Sequence, residues 1–165
     1  MASHSIEINE KLSLQPRFEN GKPLLIAGLR QPFSAGGTTE QWQRLISYFG
    51  KIPGQVGNVC YGLCFETSKG MDYLAGVEVS GLSNLPADFS DARIPTRKYA
   101  VFTHHGHVST LRKTLDAIAH EWCVKSGYEP AQLGPGEPNF FERYGEDFNP
   151  QTGMYGMEVW VPVKA

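Results

Sequence analysis

The sequence predicts an α+β domain made of duplicated β-α-β-β units that form one curved antiparallel sheet, with two main helices on one face and a ligand cleft between. The first observation is that the order strand, helix, strand, strand covers residues 24–80 and recurs over residues 97–163. The second is that YLAGVEV at 73–79 resembles YGMEVWV at 155–161. One such unit has too little core to close alone, so two units related by a pseudo-twofold axis should pair their strands.

The first unit opens with a short apolar run that is typical of a buried strand. Thr38 or Thr39 can cap the helix that follows, and Gly50 ends it. The predicted elements are a strand at 24–29, a helix from 38 or 39 to about 49, and strands at 59–67 and 72–80.

The second unit contains the longest helical pattern of the chain, with an apolar stripe at Leu111, Leu115, Ile118, Ala119 and Trp122. Its predicted elements are a strand at 97–105, a helix at 108–126, and strands at 140–144 and 154–163. Residues 1–21 are predicted to be a polar lead-in with short edge strands at 6–8 and 12–14, so the domain is expected to span 22–165.

Composition excludes several classes of function. The chain has 165 residues and a net charge of −2, which gives no basic surface for nucleic acid. No segment approaches the ~20 continuous apolar residues of a transmembrane helix, and the N-terminus has no apolar signal-peptide core. Three cysteines are too few for a disulfide framework. We therefore expect a cytoplasmic protein that binds neither membrane nor nucleic acid directly.

The last predicted strand carries a carboxylate in an apolar context. Alternation puts Glu158 and Trp160 on one face, and puts on the other face Met157, Val159, Val161 and Val163. An isolated buried carboxylate loses roughly several kcal/mol of hydration, so it needs a hydrogen-bonded partner, a raised pKa or a cationic ligand. We favour a cationic ligand at an unneutralised Glu158. The structural alternative is a salt bridge across the sheet to Arg143, Arg97 or Lys98.

Three motifs resemble the GyrI-like small-molecule-binding domain: YAVFTHHGH at 99–107, FERY at 141–144 and EVWVPV at 158–163. That domain is the effector-binding half of many AraC- and MerR-type regulators, and it also occurs alone. The resemblance covers about residues 20–165 and implies a duplicated β-α-β-β fold. It also implies a cleft with an acidic floor that binds lipophilic, often cationic compounds, including multiple drugs.

The resemblance assigns cleft positions to Glu158, Trp160 and Glu142, and less closely to Tyr61. Tyr155 and Trp42 are further candidates for cleft walls, because aromatic rings attract cations by roughly 0.5–2 kcal/mol per contact. Core packing is the alternative for the aromatic residues, and a solvated or paired side chain is the alternative for Glu142.

No metal or cofactor site is expected. His104 and His105 are adjacent on a strand and point to opposite faces, so they cannot readily share one ion with His107. A structural role at the strand end or in the loop is favoured for this group.

These patterns favour a non-enzymatic module that binds lipophilic cationic small molecules. Only about 20 polar residues precede the domain, too few for the helix-turn-helix of the regulators. The expected macromolecular partners are a separate DNA-binding regulator or a second copy in a homodimer. One alternative is a GyrI-like hydrolase of reactive toxic natural products, with Glu142 and Glu158 as an acid/base pair. Another is inhibition of a topoisomerase by direct contact.

Overall fold

The structure is a computed structural model that describes residues 15–33 and 37–165. The edge strands predicted at 6–8 and 12–14 lie outside the described residues. No helix in the described ranges is long and apolar enough to cross a membrane.

The fold is one curled, antiparallel eight-stranded sheet with helices on one face. The strands are β1 (Arg17–Gly21), β2 (Leu24–Pro32), β3 (Gln55–Thr67), β4 (Gly70–Val79), β5 (Ser90–Ile94), β6 (Arg97–Thr103), β7 (Phe140–Tyr144) and β8 (Met157–Val163). Their order across the sheet is β1-β6-β8-β7-β3-β4-β2-β5. The predicted α+β class and single antiparallel sheet are confirmed.

The helical segments are one short helix and one longer, irregular one. Helix α1 spans Thr39–Ile46. The second segment begins with a 3-10 turn at Val108–Thr110 and continues as α2 (Leu111–Ala117), a π-helical turn (Ile118–Trp122) and α3 (Cys123–Lys125). The π-helical turn interrupts the continuous helix that the sequence predicts, and such turns are frequent at functional sites.

The two predicted units meet at the centre of the sheet. Strands β2, β3 and β4 with α1 form the first unit, and β6, β7 and β8 with the second helical segment form the other. The units join where β3 pairs with β7 antiparallel, with Gly62 opposite Glu142 in the middle of the shared register. The duplication predicted from the sequence is therefore present, and its pseudo-twofold axis passes close to this pair.

Two edge strands were not expected from the sequence. Strand β1 belongs to the predicted lead-in, and β5 belongs to the predicted linker between the units. In the chain, β1 precedes β2 of the first unit, but it pairs with β6 of the second unit. Likewise, β5 precedes β6 of the second unit, but it pairs with β2 of the first unit. This exchange joins the two halves at both edges of the sheet.

Both faces of the sheet are apolar. The face turned away from the helices carries a core of Ile26, Tyr61, Leu63, Phe65, Leu74, Tyr99, Val101 and Phe141, with Trp160 packed against it. The face under the helices carries Ala27, Tyr73, Ala75, Val77, Ala100, Phe102 and Val159, which pack with Leu45, Leu111 and Ile118 from the helices. The alternation predicted for β8 is correct.

Candidate functional site

A cavity of about 610 Å³ lies between the second helical segment, the loop at 128–139 and the sheet. Its walls are mostly apolar, and they include Leu115, Ile118, Leu133, Phe140, Val159 and Val161. This size is within the roughly 300–1,000 Å³ of small-molecule sites. A drug-sized ligand can therefore fit in this cavity.

Glu142 supplies the buried carboxylate of this cavity. It lies on β7 on the helix side of the sheet, lines the cavity and is only 7% exposed. Tyr73 and Tyr144 each donate a phenol hydrogen bond to its Oε1 atom, at 2.6 and 2.9 Å. Burial raises the pKa of the Glu142 carboxyl, and the two phenol hydrogen bonds offset only part of that rise.

An aromatic cluster from both units fixes the two phenols. Trp42 on α1 donates its indole hydrogen to the Tyr73 hydroxyl at 3.3 Å, and its ring meets those of Tyr73 and Tyr144 edge-on. Burial and the neighbouring Glu142 raise the pKa of Tyr73 and Tyr144 well above the ordinary value. Both hydroxyls therefore stay protonated and act as donors to the carboxylate.

Gly62 leaves the space in which the hydrogen bond from the Tyr73 hydroxyl to Glu142 forms. A Cβ atom at this position would lie 2.0 Å from the Tyr73 hydroxyl oxygen and 2.7 Å from Glu142 Oε1. Any larger residue on β3 would push Tyr73 away from the carboxylate, so the site depends on a glycine here.

Glu142 has no cationic partner within residues 15–33 and 37–165. Among the residues that the structure describes, none of the ion pairs involves it. Its Oε2 atom accepts no hydrogen bond from the described residues. The described residues also contain no cluster of side chains able to hold a metal ion. Glu142 therefore lines the cavity with a carboxylate of which one oxygen has no partner among the described residues.

Glu158 has a different environment. It lies on the face turned away from the helices, where Arg17 Nη2 approaches one oxygen at 2.6 Å and Arg143 Nη1 the other at 3.6 Å. Trp160 donates its indole hydrogen to Glu158 at 3.1 Å. The expectation that Glu158 is unneutralised is therefore wrong: the predicted structural alternative with Arg143 is present, and Arg17 on the unexpected strand β1 adds to it.

Trp160 and Tyr61 lie in the core on that same face. The Trp160 ring stacks on Phe141 at 5.5 Å and meets Tyr99 edge-on, while Tyr61 meets Phe141 edge-on at 5.7 Å. Because Val159 and Val161 line the cavity from β8, alternation directs Glu158 and Trp160 away from it. Ligand contact by Glu158, Trp160 or Tyr61 stays a prediction, and the site built around Glu142 does not use it.

The hydrolase hypothesis needs Glu142 and Glu158 to act together on one substrate. The two residues lie on adjacent strands, with Glu158 opposite Arg143, so their side chains point to opposite faces of the sheet. They cannot form an acid/base pair around one ligand.

Tyr155 and the histidines lie away from the Glu142 cavity. Tyr155 is 65% exposed in a turn and borders a second cavity with His105 and Asp147. His104 is buried, with its ring nitrogens 2.7 Å from Thr114 Oγ1 and 3.0 Å from the His107 carbonyl oxygen. His104 thus anchors the start of the second helical segment, which is a structural role.

Sequence reasoning names Glu142, which lines the cavity, and Trp42, which is not among the lining residues but packs against Tyr73 and Tyr144. It misses the two tyrosines. Tyr144 could have been found, because it lies two residues after Glu142 on the same strand and therefore on the same face. Tyr73 gave no such signal, since its contact with Glu142 depends on the pairing of β3 with both β4 and β7.

Comparison with known proteins agrees with this fold. The transcriptional regulator BrlR of Pseudomonas aeruginosa is 28% identical over 142 residues, which cover 84% of this chain; the match spans about half (51%) of the relative. A structure of SAV2435 bound to tetraphenylphosphonium superposes with a TM-score of 0.64 at 20% identity, covering 91% of this chain and 94% of that one.

The C-terminal domain of EcmrR superposes with a TM-score of 0.65 at 18% identity, covering 91% of this chain and 97% of that one. At these identities the two structures support the fold alone. The sequence profile of the GyrI-like small molecule binding domain matches residues 14–164, nearly the whole chain. The protein therefore belongs to the GyrI-like small-molecule-binding domain family.

Proposed function

We propose that this protein binds lipophilic cationic small molecules in the cavity that Glu142 lines, as a binding module and not as a catalyst. The observation that carries the proposal is a buried carboxylate that has no cationic partner in the described chain and faces an apolar cavity. The tetraphenylphosphonium bound to SAV2435 is a ligand of this kind in a protein of the same fold.

The physical reason is charge compensation. The two tyrosine hydroxyls stabilise the ionised carboxyl only partly, since burial still leaves its pKa raised. A cation that enters the cavity supplies the missing opposite charge in an environment of low dielectric constant, where the attraction exceeds that in water. An anion of the same shape would meet repulsion, so the site should select by sign of charge.

We further propose that ligand binding serves transcription regulation in the cytoplasm. BrlR is a transcriptional regulator, but this chain matches only about half of it. The partner that we propose is a DNA-binding regulator or a second copy of this chain, through which occupancy of the cavity is communicated.

The test compares two ligands of matched shape and opposite charge. Tetraphenylphosphonium and tetraphenylborate are titrated separately while tryptophan fluorescence is recorded, since Trp42 contacts both tyrosines of the site. We expect saturable binding of the cation and at least tenfold weaker binding of the anion. This corresponds to about 1.4 kcal/mol of discrimination.

Three variants locate the carboxylate responsible. Glu142→Gln keeps the side-chain shape and should weaken cation binding about tenfold or more. Glu146→Gln, which removes the same charge from an exposed loop, is the matched control and should change affinity little. Glu158→Gln tests the first sequence hypothesis. A loss of affinity in Glu158→Gln with none in Glu142→Gln would contradict the proposed site, and equal binding of both ions by the unmodified protein would contradict the charge argument.

A further inference from the structure

The two oxygens of Glu142 are not equivalent. Both tyrosine hydroxyls donate to Oε1, from Tyr73 on β4 and from Tyr144 on β7. The other oxygen, Oε2, has no hydrogen-bond donor among the described residues. Because Glu142 lines the cavity, a ligand there meets a carboxylate oxygen whose hydrogen-bonding capacity is unused.

We propose that the site prefers cations that carry an N–H donor, such as protonated tertiary amines, over quaternary cations of the same shape. The inference rests on the proposed function and names the class of ligand within it. A quaternary cation can only place its charge near Oε2. A protonated amine can also donate a hydrogen bond to that oxygen, and a hydrogen bond between charged groups is shorter and stronger than one between neutral groups.

Desolvation decides whether this hydrogen bond adds to affinity. A protonated amine loses more hydration than a quaternary ammonium on entering an apolar cavity, and it regains this only if a buried acceptor meets the N–H group. Other acceptors on the cavity wall are less suitable. The Asn139 Oδ1 atom already accepts from the Glu66 amide at 2.8 Å, and Glu66 and Asp116 are exposed to water. Among the carboxylate and amide side chains of the cavity wall, Glu142 Oε2 is therefore the acceptor that favours the amine.

The tyrosines also determine how a glutamine behaves at position 142. Both phenols need an acceptor at the Oε1 position, so the amide oxygen of Glu142→Gln should occupy it. The amide NH₂ group then replaces Oε2 and points a donor at the cavity. This variant keeps both tyrosine hydrogen bonds but removes the acceptor that a protonated amine requires.

The experiment uses a pair of ligands that differ by one methyl group: N,N-dimethyl-1-naphthylmethylamine, protonated at pH 7, and its N,N,N-trimethylammonium analogue. Isothermal titration calorimetry at pH 7 measures both affinities for the unmodified protein, for Glu142→Gln and for the control Glu146→Gln. We expect the amine to bind about tenfold more tightly than the quaternary ion to the unmodified protein. The ratio should fall to about one in Glu142→Gln and persist in Glu146→Gln.

The unmodified protein alone can decide the question, even if the variant does not fold. Equal affinities, or tighter binding of the quaternary ion, would overturn the inference while tetraphenylphosphonium binding still upheld the proposed function. If neither ligand of the pair nor tetraphenylphosphonium binds, both the inference and the proposed function would be overturned. A preference for the amine that survives in a folded Glu142→Gln would also overturn the inference, because the donor would then be meeting a different acceptor.

Discussion

Replacing Glu142 by glutamine should change stability and ligand binding in opposite directions. Burial raises the pKa of the Glu142 carboxyl, so the folded protein holds this proton more tightly than the unfolded chain does. The stability that this contributes is fully present below the unfolded-state pKa and is lost as the pH rises through the folded-state pKa. Above that pH, the desolvation of the buried, ionised Glu142 carboxylate destabilises the folded protein.

Glu142→Gln avoids this loss of stability because its amide side chain does not ionise. Its amide oxygen can still accept from Tyr73 and Tyr144, so the hydrogen bonds of the ligand-free site are kept. We therefore expect ligand-free Glu142→Gln to melt at a higher temperature than the unmodified protein at neutral and alkaline pH. The difference should shrink as the pH falls and the carboxyl becomes protonated.

The affinity for the ligand should change with pH in the opposite direction to the stability: it should increase as the pH rises. Tetraphenylphosphonium has a permanent charge, so only the protein titrates. Where Glu142 is protonated, binding must displace its proton, and affinity should rise about tenfold for each pH unit. Above the folded-state pKa the affinity should become constant, and Glu142→Gln should show neither the slope nor the high plateau.

The phenols and the thiol near Glu142 should not titrate in the pH range of this experiment. Burial raises the pKa of Tyr73, Tyr144 and Cys64 well above their ordinary values, so these groups stay protonated through the range. Thermal unfolding with and without tetraphenylphosphonium between pH 5 and 9 gives both quantities. Destabilisation of the ligand-free glutamine variant together with a pH-independent affinity in the unmodified protein would refute the reasoning.

Three further predictions test the surroundings of the site. Gly62→Ala should destabilise the protein by about 1–3 kcal/mol and weaken tetraphenylphosphonium binding, because its Cβ cannot fit beside the Glu142 carboxylate; Gly81→Ala, where no atom lies within 4 Å, is the control in denaturant titration. Tyr144→Phe removes one donor to the carboxylate, so the Glu142 pKa should rise further and the pH at which affinity levels off should move upward in calorimetry. Arg17→Ala should cost about 1 kcal/mol or less in denaturant unfolding, because this arginine is partly exposed, and should leave tetraphenylphosphonium affinity unchanged; a large loss of affinity would place the ligand on the other face.

Periodicity recovered most of the fold because each main strand and both helices carry their own local pattern. The strand at Phe140–Tyr144 and the long helical segment are examples, and the duplication followed from their order. Strands β1 and β5 lack such a pattern: RFENG and SDARI are short and largely polar. They form only because the first long strand of the other unit offers a free edge, which is a non-local interaction.

The site was harder to predict than the fold because both faces of the sheet are apolar. Alternation correctly separates Glu158 from Val159, but it cannot say which face the helices cover. The sequence therefore contains two candidate carboxylates, Glu142 and Glu158. The sequence-based prediction favours Glu158, because its strand is otherwise apolar. The two differ in their ion pairs in the three-dimensional structure: Arg17 and Arg143 pair with Glu158, whereas no arginine or lysine among the described residues pairs with Glu142.

The join between the two units places one carboxylate at the centre of the sheet. Gly62 and Glu142 face each other there, across the β3–β7 pair. Two glutamates there would place like charges on adjacent strands, which is destabilising. Two glycines would leave no charge. The pairing of a glycine with a glutamate supplies one acidic group together with the space for the Tyr73 hydroxyl that donates to it. A scaffold of two similar units thereby carries a single acidic group at their junction, and the selectivity for cations that we propose depends on that one charge.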